Sequence, residues 1–188
     1  MTMSDTLQAA LRKGREKIIA CWVKSADNLY PFAAAGLLHS TADAFANPVG
    51  ARSREAAGLL FDAILDPGYD SARLTAGLEE FLRVRAVQDM RPEQAVGPVF
   101  FFKRLIRDYL AEEEFLFDEE SRMQVLRLET RIDNLVLLAF GLYMNCREAL
   151  FSVKLNDMQR RNSQLLRFVQ RFNVPQGPGE DQEEVTGS

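Results

Sequence analysis

The chain has 188 residues, 23 Lys and Arg against 27 Asp and Glu for a net charge of −4, and 47% hydrophobic residues, 13 of them Phe. That length fits one domain with a real core, and the mildly acidic balance argues against generic affinity for nucleic acid. Cys21 and Cys146 lack CxxC spacing, and the apolar positions of the N-terminus are threaded with charges. A disulfide scaffold and a signal peptide are thereby excluded, and a cytoplasmic protein is expected, with both thiols reduced and buried in the core.

In chain order, Ser4 to Asp27 reads as a first helix, with Leu7, Leu11, Ile18, Ile19, Trp22 and Val23 at helical spacing. Ser4-Asp5 supplies its cap and Trp22 faces the core. Tyr30-Pro31 ends it, a shorter apolar stretch follows from Phe32 to Phe45, and Asn47-Pro48-Val49-Gly50 marks a turn. A second helix runs from about Ser53 to Leu65 and stops at Asp66-Pro67-Gly68. Ser71 caps a third, which ends near Gln88-Asp89. Pro92 opens a fourth, kinked at Gly97-Pro98 and reaching about Leu110. Six of the nine residues from Glu112 to Glu120 are acidic, which suits the start of a helix and not its end, so a boundary falls near Phe117. The last helix is the longest, from about Glu119 to near Phe172, with a break allowed for after Asn156. From Val174 onward, prolines, glycines and acids have nothing to bury and form a disordered tail.

No stretch alternates as a strand would. The fold class is all-α, a globin-like or irregular bundle of five to six helices in one domain over residues 1–173, followed by the acidic tail 174–188. Between Asn134 and Asn145 no residue is charged, and a helix apolar on every side is expected to be covered on every side. That run is therefore the central stave of the bundle or the seam of a dimer. It is too short to cross a bilayer by itself.

The chain is poor in groups for chemistry. With a single histidine, His39, it has no Glu-x-x-His pair, no HExxH, no GxSxG elbow and no phosphate-cradling glycine loop. A catalytic role, a metal and a cofactor are not expected, and a haem or small ligand near His39, Trp22 and Tyr143 is the alternative. Charged residues stand inside otherwise apolar helices, and buried charges need partners. Arg85, Gln88, Asp89, Arg131, Asp133 and Arg147 are accordingly candidates either for register pairs, Arg85 or Arg131 with Asp89 or Asp133, or for a polar pocket holding a small-molecule signal. Met158, Leu165, Leu166 and Val169 on the last, locally basic helix would be left bare unless a second subunit or another protein covers them.

The blocks RVRAVQDMRPEQAVGPVFFFKRLIR (Arg83 to Arg107) and LETRIDNLVLLAFGLYMNCREALFSVKLNDMQR (Leu128 to Arg160), with NPVG before them, resemble the N-terminal domain of the RsbRD-type RsbT co-antagonist proteins over roughly residues 5 to 165. The resemblance implies a stressosome-sensor-like domain, helical, globin-like without haem and dimeric. In that family it usually precedes a STAS domain that contacts an RsbT-type kinase. None follows here, so a stand-alone sensory or scaffolding module is expected, acting through protein contacts or through itself as a homodimer, without membrane insertion. Where a Ser or Thr cap is expected before Pro92 this chain has Arg91, a loss of about 1 kcal/mol. Asp89 is the substitute cap expected from the sequence.

Overall fold

The computed structural model describes residues 4–29, 48–115 and 118–172, the side chains of 48–49 and 169–172 apart. The Phe32 to Phe45 stretch with His39 and the tail from Val174 lie outside them. Every regular element among the described residues is helical: α1 Asp5–Lys13, α2 Arg15–Asp27, α3 Pro48–Leu65, α4 Ser71–Val87, α5 Pro92–Val96, a 3-10 turn Gly97–Phe100, α6 Phe101–Glu112 and α7 Glu119–Phe172.

The first predicted helix is two. Ser4 caps α1 as expected, its hydroxyl accepting the amide of Leu7 at 3.4 Å, but the chain turns at Gly14. A Cβ there would lie 2.3 Å from Cζ of Tyr109, so glycine lets α6 press its tyrosine against the α1–α2 junction. Helix α3 spans Pro48–Leu65, so Pro48-Val49-Gly50, where the sequence predicts a turn, is already helical. It stops at Leu65, where Asp66 Oδ1 accepts the amide of Gly68. Asp70, not Ser71, caps α4, its Oδ1 accepting the amides of Ala72 and Arg73 at 2.9 and 3.2 Å. The expected kink at Gly97-Pro98 is a full 3-10 turn separating α5 from α6. Before Pro92 the amide of the N-cap residue Arg91 donates to Oε1 of Gln94 at 3.1 Å, and Asp89, expected as the cap, pairs with Arg147.

Contacts divide the chain into two units, Met1–Leu150 and Phe151–Ser188. In the first, α2 packs on α3 and α6, and α3 on α4. Trp22, fully buried, stands at their meeting point. Its ring stacks on Phe102 with centroids 5.6 Å apart and tilts against Phe81, and its Nε1 donates to the carbonyl of Pro98 at 2.7 Å. The indole N–H is thus satisfied by a carbonyl of the 3-10 turn, while the ring contributes its buried area to the core. The second unit is described over the α7 residues from Phe151, helical to Phe172 without the break allowed for after Asn156.

Candidate functional site

Helix α7 holds the most unusual surface of the chain. Within the first unit, Leu128, Ile132, Val136, Ala139, Tyr143 and Cys146, three or four residues apart, are buried against the other helices. Side-chain ties hold this face down. Arg131 donates to the carbonyls of Ile64 and Leu65 at 3.0 and 3.4 Å, satisfying the end of α3. Asp133 pairs with Lys103 of α6 at 2.7 Å. Tyr143 donates its hydroxyl to the carbonyl of Met90, and Arg147 pairs with Asp89.

Those last two ties grip the turn after α4. Asp89 has φ +57°, the left-handed closure that often ends a helix and that Asp tolerates better than most residues. The amide of Met90 then donates to the carbonyl of Arg85 at 3.2 Å. Burial raises the tyrosine hydroxyl of Tyr143 and the thiol of Cys146 above their ordinary values, with the Arg147 charge opposing the first and the Arg83 charge the second. Arg147 itself is held further toward its charged form by the hydrogen bond to Asp89.

The opposite face of the same helix is apolar and bare. Leu137 is 69% exposed and Phe140 47%, and Met123, Leu126 and Met144 are exposed with them. The uncharged run is therefore not a stave covered on every side within one chain: its apolar residues outnumber the positions that face the body, and the surplus points outward. In the second unit Phe151, Leu155, Met158, Leu165, Leu166 and Phe168 are all exposed. Leucines and methionines in such a row normally mark an interaction site.

Of the residues singled out in the sequence, Asp89 and Arg147 come together, with Gln88 closing α4 beside them. Arg147 pairs with Asp89, and Lys103 pairs with Asp133. Arg85 is buried, stacked over Phe81 at 4.1 Å and donating to the carbonyls of Gln94 and Ala95 at 3.2 and 3.4 Å. These side chains mend backbone ends, a use that depends on which helix end lies nearby and leaves no trace in local spacing. Met158, Leu165 and Leu166 lie exposed on α7, and Val169 belongs to its final turns. Cys146 is buried as expected, but Cys21 is exposed on α2.

Among the described residues, no group of three or more His, Cys, Asp or Glu is placed to hold a metal ion. By length and composition alone α7 is apolar enough to cross a membrane, although the uncharged run by itself is shorter than a span. A span would have to give up the ties that fasten its buried face to α3, α6 and the α4–α5 turn.

The helical body anchors one face of a long helix and leaves apolar residues exposed on the other. The chain belongs to the family of the RsbT co-antagonist protein rsbRD N-terminal domain, whose model matches residues 16–158. This is a family of signalling domains. No curated protein and no solved structure matches the chain.

Proposed function

We propose that this protein is a sensory or regulatory module of cytoplasmic signalling, which works by contact and not by catalysis, as a homodimer joined through α7. One observation carries the reading. Leu137, Met144, Phe151, Met158 and Leu165 recur at an interval of seven, and every one of them is exposed. Covering a large apolar side chain fully is worth about 1.5–3 kcal/mol. Five from each chain, 37–69% exposed before pairing, bring a gain of the same order as the roughly 4–15 kcal/mol cost of association.

The anchored face supports the signalling part of the proposal. A small molecule or partner that repacks the α4–α5 turn would act on α7 through Tyr143 and Arg147, and a shift between two packings with different affinities is all that such a switch requires. Light scattering on the full chain and on a Leu137→Glu, Met144→Glu variant tests the reading. Both residues are exposed in the single chain, so the variant keeps its helicity and loses the dimer; equal masses for the two proteins would refute the proposal.

A further inference from the structure

We infer that residues 151–168 pair with the same segment of a second copy as a parallel, in-register, two-stranded coiled coil, and that Asn162 sets this arrangement. The inference rests on the homodimer reading and adds orientation, register and the residue that determines them. Steps of four and three residues join Phe151, Leu155, Met158, Asn162 and Leu165. In a heptad frame Phe151, Met158 and Leu165 take the d positions, and Leu155 and Asn162 take the a positions. All five are exposed in the single chain, and Asn162 is the one polar member of the row.

Asn162 discriminates between arrangements. In a parallel in-register pair its amide meets its own counterpart and the two can hydrogen-bond. In an antiparallel pair, or after a slip of one heptad, it faces Met158, Leu165 or Leu155 and is buried without a partner. A single a-position asparagine costs stability and in return specifies two strands and one register.

Charge gives a second, independent reason. The g positions hold Lys154, Arg161 and, at the end of the segment, the uncharged Phe168, and the e positions hold Ser152, Gln159 and Leu166. Parallel strands set g against the following e, so Lys154 meets Gln159 and Arg161 meets Leu166, and no like charges face each other. Antiparallel strands set g against g, which brings lysine and arginine of one copy onto those of the other. Arg160 and Arg167 lie on the outer face with Asn156, Ser163 and Gln164, away from the seam.

The experiment is thiol cross-linking of the full chain in a Cys21→Ser background, with Leu155→Cys and Leu165→Cys made singly, beside sedimentation of Asn162→Leu. Parallel pairing in register predicts that both cysteine variants form covalent dimers under mild oxidation, since an antiparallel pair can bring at most one of the two positions onto itself. Asn162→Leu is expected to tighten self-association about tenfold or more and to admit species larger than a dimer. A dimer in which one or neither cysteine cross-links overturns the orientation. A dimer whose mass and affinity ignore Asn162→Leu overturns the role of that residue. Each of these leaves the homodimer itself standing. A wild-type monomer, including one that sediments with anionic vesicles, would overturn both the dimer and its geometry.

Discussion

Tyr143 donates its buried hydroxyl to the main-chain carbonyl of Met90, and this bond fastens the α4–α5 turn to the helix whose other face is bare. Anchored and exposed faces share one helix. The proposed switch would act on α7 through this bond.

Tyr143→Phe keeps the ring and removes the bond, leaving the Met90 carbonyl without it. The expected loss is about 1–3 kcal/mol, read as a lower urea midpoint with an unchanged slope. An unaltered midpoint would show that the bond contributes nothing.

Gly14→Ala places a methyl group against the Tyr109 ring at the α1–α2 junction, where a Cβ would stand 2.3 Å from Cζ. Overpacking of this kind costs about 1–3 kcal/mol. Adding Tyr109→Leu should recover part of the loss, because the shorter side chain clears the space. Thermal unfolding of the single and double variants decides it, and two losses that simply add would contradict the contact.

Fold class and most helix positions were legible in the residues, since the periodicity of Leu7, Leu11, Ile18 and Trp22, and of Leu74, Leu78, Phe81 and Leu82, reports which side of a helix is covered. Details that depend on a neighbour were not. Gly14 reads as an ordinary mid-helix glycine until Tyr109 is seen against it, and Asp70 and Ser71 are equally good caps until the backbone chooses one. The run from Leu135 to Met144 shows the limit most clearly. Apolar residues on all sides say that cover is needed, but not whether it comes from the same chain. The candidate site was half legible: the exposed Met158 and Leu165 were marked by spacing, while the ties of Arg131 and Arg147 join segments far apart in sequence.

Asp118 starts α7 by accepting the amide of Ser121 at 2.7 Å, and hydrogen bonds from the Ser121 hydroxyl and then from that amide hold its carboxyl below the ordinary range. A carboxyl lowered by folding contributes stability that is present above its unfolded value and lost as pH falls through the folded one. Thermal midpoints should therefore decline in acid, below the usual carboxylate range. Asp118→Asn, which retains an acceptor and cannot titrate, should flatten part of that decline; parallel curves for the two proteins would remove Asp118 from the account.

The two thiols should differ in reactivity. Cys21 is exposed and should react at neutral pH in the native protein, whereas Cys146 is buried with its thiol raised by burial and should react only on unfolding. Counting modified cysteines with and without denaturant by mass spectrometry checks this. Equal labelling of both in the native state would mean that the buried face of α7 is open.

The central claim is that a second copy of the chain covers the bare face of α7. Sedimentation equilibrium on the full-length protein over a range of concentrations measures this directly. The account predicts a single species of twice the 21.3 kDa chain mass, dissociating only on dilution. A mass of one chain at every concentration would contradict it.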